Sequence, residues 1–173
     1  MTRMMTLLAM LVLLAACNNS VRPASEGGDP PAEDLKAEVD AVAKQVVPAL
    51  TTALGVRPSG LQASFTERGG FGLWDYAAAG QFVGPAVTSQ ELTATLVQTL
   101  TDSGLEVEED ALGAVKGTKG NASVRLTVVR GAVAGSSKSQ QLVDITIGST
   151  KPTSEGGDFA ESAPAEDYLT YVE

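Results

Sequence analysis

The chain of 173 residues contains no histidine and a single cysteine, Cys17. Without histidine, neither the Ser-His-Asp nor the Cys-His arrangement of hydrolases can form, and imidazole is lost as a zinc ligand. With one cysteine, an exported domain cannot use an intramolecular disulfide and must be stabilised by buried apolar surface. The sequence also lacks a phosphate-binding loop and a dinucleotide-binding glycine motif. We therefore predict no catalytic residues, no metal and no cofactor.

Basic residues are also few. The chain has 12 Lys and Arg against 21 Asp and Glu, which gives a net charge of −9. An acidic surface of this kind repels nucleic acid and anionic lipid headgroups. We therefore expect no nucleic-acid partner and no membrane binding through a basic patch.

Long apolar runs are limited to one, at positions 4–16, which follows Arg3. A transmembrane helix needs about 20 apolar residues, so this run is too short to cross a bilayer. A charged start, a short apolar middle and a small-residue end are typical of a secretory signal. The sequence therefore predicts that the protein is exported and does not span the membrane.

The apolar run ends in Leu-Ala-Ala-Cys at positions 14–17. This motif resembles the lipobox of bacterial lipoproteins, in which the cysteine sulfur receives a diacylglycerol and the chain is cut before the cysteine. The resemblance implies a signal peptide at 1–16 and lipidation of Cys17, and two or three acyl chains suffice for stable anchoring. The implied location is the outside of the cell membrane, or the outer membrane in a diderm host. The alternative is an ordinary signal peptide with an incidental cysteine.

Composition divides the rest of the chain into three parts. Positions 17–32 are polar and rich in Gly, Pro and Ser, which predicts a flexible tether after the lipidated cysteine. Positions 33–149 have the length of one globular domain. Positions 150–173 repeat the tether's Ser-Glu-Gly-Gly-Asp motif, so we expect an acidic, mostly flexible C-terminal tail.

Apolar periodicity within the globular part predicts two helices. Apolar residues recur at three- and four-residue spacing from Leu35 to Leu54, with a kink or break expected at Pro48. Thr88 and Glu91 form the capping box of the second helix. Strand patterns follow each helix, at 61–65, 71–78, 105–108, 112–116, 124–129 and 142–147. A hairpin turn is expected at 117–121 and a longer loop at 131–139.

This arrangement predicts an α+β fold: a two-layer sandwich of four to six antiparallel strands with two helices on one face. The sequences PALTTALG at 48–55, WDYAAAG at 74–80 and SGLEV at 103–107 resemble a recurring type of small actinobacterial lipoprotein with two helix-plus-strands units. The function of that type is not established, so the resemblance implies a fold and a location but no chemistry.

Two acidic features are the strongest candidates for chemistry. The acids at 106–110 could bind Ca²⁺ or form an acid/base pair, but consecutive acids point in different directions on a strand, so we favour a solvated turn. Asp75 is the one acid of an otherwise apolar strand. It could be a buried carboxylate with a raised pKa, but we favour an outward-facing residue of an alternating strand.

Aromatic residues are scarce and unevenly placed, with five of the eight lying between Phe65 and Phe82. On an extended strand over 71–78, Phe71 would point to one face, and Trp74 and Tyr76 to the other. If both helices cover one face, one set stays exposed. We expect it to be Trp74 and Tyr76, whose polar groups tolerate water, as the candidate partner surface. The alternative is that the C-terminal sequence DYLTYV, at 167–172, folds back over this pair.

Two classes of function remain. The first is a lipid-anchored, non-enzymatic envelope module that binds a protein, glycan or lipid partner; a small lipid or ligand carrier is a variant of it. The second is a carboxylate-dependent hydrolase of cell-wall glycan, which would need two acids held about 5–9 Å apart across a groove.

Overall fold

The computed structural model of the protein describes residues 29–110, 113–129 and 139–172. The predicted signal peptide, Cys17 and the tether up to position 28 lie outside the described residues, as does the predicted loop at 131–139 apart from its last position. The described elements, in chain order, are α1 (Ala32–Leu54), β1 (Ser59–Glu67), β2 (Trp74–Val87), α2 (Ser89–Asp102), β3 (Glu106–Glu109), β4 (Val115–Lys119), β5 (Ala122–Val129), β6 (Ser139–Ser149), α3 (Gly157–Ser162), β7 (Glu166–Asp167) and a 3-10 helix (Tyr168–Val172).

The second helix follows the sequence prediction closely. Thr88 accepts a hydrogen bond from the backbone N–H of Glu91, and the Glu91 carboxylate accepts one from the N–H of Thr88, which completes the capping box. The first helix continues through Pro48 without a break, which was one of the two outcomes expected there. Leu50 and Leu54, beyond the proline, are buried in the core. Burial of such side chains stabilises by about 1.5–3 kcal/mol each, which offsets the roughly 3 kcal/mol cost of an internal proline.

The strands form one antiparallel sheet in the order β3-β4-β5-β6-β2-β1-β7. The predicted α+β sandwich is confirmed, with seven strands rather than four to six. Helices α1 and α2 pack side by side on one face, where Leu50 and Leu96 share a core with inward-facing strand residues such as Val124 and Ile145. The other face carries no helix in the part of the chain that the structure describes.

The strand boundaries differ from the prediction by a few residues, and two of these differences change the surroundings of nearby side chains. Strand β2 begins at Trp74, so Phe71 lies in the preceding turn and is 81% exposed. Strand β4 extends through Gly117 to Lys119, so the hairpin turn predicted at 117–121 is shorter than expected and lies around Gly120. A Cβ atom at Gly117 would lie 2.7 Å from Cδ2 of Leu105, so a larger residue there would require the Leu105 side chain to move.

The C-terminal segment differs from the mostly flexible tail that its composition predicted for 150–173. Its described part supplies α3, β7 and the 3-10 helix, and the Tyr168 side chain is fully buried. It also holds the start of α1, because the N–H of Ala32 donates to the carbonyl of Glu155 and Thr153 Oγ1 donates to the carbonyl of Pro30. The few apolar residues of this segment find partners far away in sequence, and their burial offsets the entropy of ordering it.

Candidate functional site

The structure does not leave the predicted partner surface exposed. Tyr76 is fully buried and points toward α1, and Trp74, two residues earlier on the same strand, lies on the same face and is partly buried. The backbone N–H and C=O of Trp74 both bond to Thr153. The prediction of an exposed pair was wrong because Phe71 belongs to the turn. With Phe71 outside the strand, Trp74 and Tyr76 are the aromatic side chains of this stretch that can occupy the inner face of the sheet.

The alternative, in which the C-terminal sequence folds back, agrees with the observed packing. Strand β7 pairs with β1 at Gln62 and Ala63, and the following 3-10 helix packs against α1. The Tyr168 ring lies 5.3 Å from that of Tyr171, in a stacked arrangement. Tyr76 is covered on the helix side of the sheet, and its ring lies 4.6 Å from that of Phe65.

A partly buried ionic cluster joins this segment to the domain, and the sequence did not reveal it. Oδ1 of Asp40, on α1, accepts hydrogen bonds from the hydroxyls of Tyr76 at 3.0 Å and Tyr168 at 2.7 Å. Oδ2 of Asp40 accepts one from Nζ of Lys36 at 2.5 Å. Nζ of Lys36 also lies 3.6 Å from Oε2 of Glu166. We call these five residues the Asp40 cluster. The only hint in the sequence was a pair of charges four residues apart on a helix.

Electrostatics favour a neutral tyrosine and a charged lysine in this cluster. Burial raises the pKa of Tyr76 to about 12 and raises the pKa of Tyr168 further. Burial by itself lowers the pKa of Lys36, but the hydrogen bond to Asp40 and the neighbouring charges outweigh it, so that pKa is raised. Protonated donors thus surround a carboxylate that already accepts three hydrogen bonds. The arrangement suits a structural clamp better than proton transfer.

The face of the sheet opposite the helices carries polar side chains such as Arg125 and Thr146, together with the exposed apolar side chains of Val83 and Val129. One row across it runs, in register, through Ala79, Thr146, Arg125, Lys116 and Glu108. Arg125 and Lys116 are directly opposite each other, an arrangement that is unfavourable for like charges unless each has an acidic partner. Lys116 Nζ bonds to Glu108 at 3.0 Å, so this cation is partnered within the row.

A shallow depression of about 300 Å³ lies on this open face. Ala77 and Gly148, which are paired across β2 and β6, form its small-residue floor. Its lining includes the charged side chains of Asp75, Lys116 and Arg125. Hydroxyl groups of Ser123, Thr146 and Ser149 complete it. The depression can therefore offer a polar ligand positive and negative charges as well as hydrogen-bond donors and acceptors.

The two acidic candidates lie at this face and its edge. Asp75 points outward, as we favoured, and accepts two hydrogen bonds from Arg68, at 2.8 and 2.9 Å. The acids at 106–109 form the edge strand β3 instead of a turn, and Asp110 accepts a 2.6 Å hydrogen bond from Arg125. Among the described residues, no group of three or more Asp, Glu, His or Cys side chains is placed to hold a metal ion.

No protein family, no curated protein and no solved structure matches this chain. No helix in the described ranges is long and apolar enough to cross a membrane. Cys17 lies outside the described residues, so its lipidation remains a prediction from the sequence.

Proposed function

We propose that the protein is a lipid-anchored, non-enzymatic binding module of the cell envelope, and that it binds a partner on the open face of its sheet. The lipobox-like sequence at 14–17 supports the anchor. The polar depression between Asp75 and Arg125 is the observation that carries the binding function.

The chemistry of the open face favours a polar partner, an envelope protein or a glycan, over a lipid. Hydroxyl and charged groups line the depression, and its apolar surface comes from Ala77, Gly148 and the aliphatic parts of the polar side chains rather than from large apolar residues. Exposed ion pairs contribute only about 0–1 kcal/mol, so a partner can replace one at little cost. The Lys116–Glu108 pair, with side chains 41% and 67% exposed, is accessible for such an exchange.

The hydrolase alternative receives less support from this geometry. A glycan hydrolase of the usual kind needs two carboxyl groups facing each other across a groove. Asp75 is the carboxylate of the depression, and both of its oxygens are bound to Arg68. We therefore do not propose a hydrolase.

The anchor is tested by Cys17→Ser in cells supplied with a labelled fatty acid. We expect the natural chain to carry the label and to fractionate with membranes, and the variant to do neither. Ser20→Ala, which leaves the motif intact, is the matched control and should keep both properties. Label retained by Cys17→Ser would contradict the lipidation of this residue.

Binding on the open face is tested with a photoreactive amino acid at Thr146, in the centre of that face, and at Ala53, exposed on α1. We expect a discrete cross-linked product from position 146 only. We expect Lys116→Glu with Arg125→Glu to abolish it, because these changes reverse the positive charge of the depression. Equal products from both positions, or a product that the charge reversal leaves unchanged, would rule out this face as the binding surface.

A further inference from the structure

The turn between β1 and β2 presents the most exposed large apolar side chain of the described residues. Phe71 is 81% exposed, whereas the next two, Val83 and Val129, are 44% and 37% exposed. Single exposed apolar residues are common and need no explanation by themselves. Phe71 stands apart from a single incidental exposed residue because its turn is held in one conformation and lies at the N-terminal end of the domain.

The turn is held by its own hydrogen bonds. The N–H of Arg68 donates to the carbonyl of Leu73 at 2.7 Å, and the N–H of Gly72 donates to the Glu67 carboxylate at 2.8 Å. Gly72 has a φ of 66°, which other residues rarely adopt. The bidentate contact of Arg68 with Asp75 fastens the turn to the following strand. Phe71 is therefore displayed on a well-fixed tip.

This tip lies at the end of the domain where the chain arrives from its N-terminal side. Thr153 bonds through its backbone to Trp74, three residues after Phe71, and through its hydroxyl to the carbonyl of Pro30. Only positions 18–28 separate Cys17 from the described residues, and even fully extended they span no more than roughly 40 Å. An anchor at Cys17 would hold this end of the domain close to the bilayer.

We propose that the tip formed by residues 68–73 contacts the surface of the bilayer that holds the anchor, with the Phe71 ring at the headgroup level. The inference rests on the proposed lipid anchor. Phe side chains on membrane-surface segments insert their apolar rings at the boundary between headgroups and acyl chains. The contact needs little affinity of its own, because tethering makes it intramolecular and raises its effective concentration. The strands then stand end-on to the bilayer, and the open face stays accessible from the side.

The test uses the lipidated full-length chain reconstituted in phosphatidylcholine vesicles with brominated acyl chains, which quench tryptophan. Phe71→Trp in a Trp74→Phe background reports on the tip. Ala53→Trp in the same background is the matched control, because α1 is about 34 Å long and Ala53 lies near its far end. We expect quenching and a blue shift for Phe71→Trp, and neither for Ala53→Trp.

Flotation of the vesicles separates the two proposals. A chain that does not float with the vesicles contradicts the lipid anchor and removes the premise of the contact. A chain that floats but shows no quenching for Phe71→Trp, or equal quenching at both positions, overturns the tip contact alone. Hydrogen exchange on the unsubstituted chain avoids any folding defect: the amides at 69–72 should exchange several-fold more slowly on vesicles than in soluble Cys17→Ser. Equal exchange rates would overturn the contact as well.

Discussion

The two ionic regions of this protein use the same kinds of side chain in opposite surroundings. In the Asp40 cluster, Lys36 and Asp40 expose 16% and 13% of their side chains. On the open face, Arg68 and Asp75 expose 60% and 30%. Water screens the exposed pair and weakens its contribution to stability, whereas the Asp40 carboxylate is largely shielded from water and accepts three hydrogen bonds from the protein. Similar charges are therefore shielded from water in one place and exposed to it in the other.

The sharpest test of this comparison is Asp40→Ala beside Asp75→Ala. Loss of Asp40 removes three hydrogen bonds to a charged acceptor and leaves Lys36 with Glu166, at 3.6 Å, as an acidic neighbour, so the free energy of unfolding should fall by about 3–5 kcal/mol. Loss of Asp75 should cost about 0–1 kcal/mol. Urea unfolding of both variants measures the difference. Equal losses would show that burial does not distinguish the two regions.

A single hydroxyl separates the cluster's hydrogen bonding from its packing. Tyr168→Phe keeps the buried ring and removes its 2.7 Å hydrogen bond to Asp40, a bond to a charged acceptor. We expect a loss of about 1.5–3 kcal/mol in the free energy of unfolding. Tyr171→Phe, which removes a bond to the more exposed Glu166, should cost less. The opposite ranking would place the main attachment of the C-terminal segment at Tyr171.

Alkaline pH should weaken the buried cluster. The pKa of Tyr76 is raised to about 12 from an ordinary value near 10, so folding favours its protonated form. The stabilisation is complete below pH 10 and is lost as the pH rises toward 12. Urea midpoints measured across this range should fall, and they should fall less in Tyr76→Phe. A midpoint that stays constant to pH 12 would show that folding does not raise the pKa of Tyr76.

The smallest effect is expected for the open face. Lys116→Gln removes an exposed ion pair with Glu108 and also relieves the juxtaposition with Arg125, so the free energy of unfolding should change by no more than about 0.5 kcal/mol. About 1 M salt should remove whatever difference remains, because it screens exposed charges. A loss above 2 kcal/mol that persists in salt would mean that Lys116 belongs to the structural framework.

The sequence by itself determined the features that depend on near neighbours along the chain. The Thr88–Glu91 capping box and the apolar stripe from Leu35 to Leu54 follow from helix capping and periodicity, which a short window of sequence contains. The lipobox-like motif ending at Cys17 is also local, and for that reason the sequence alone carries the prediction of an anchor.

Only the tertiary structure decided which face Tyr76 occupies and where the C-terminal segment goes. Strand alternation separates two faces but does not say which one the helices cover. Because β2 begins at Trp74, Phe71 is not part of the strand and does not occupy either face of the sheet. Asp40 and Tyr168 are 128 positions apart, so no local pattern could pair them. The composition of 150–173 predicted a mostly flexible tail, because composition gives the number of apolar residues but not the distant residues against which they pack. Burial of Tyr168 among distant residues supplied the free energy that composition could not show.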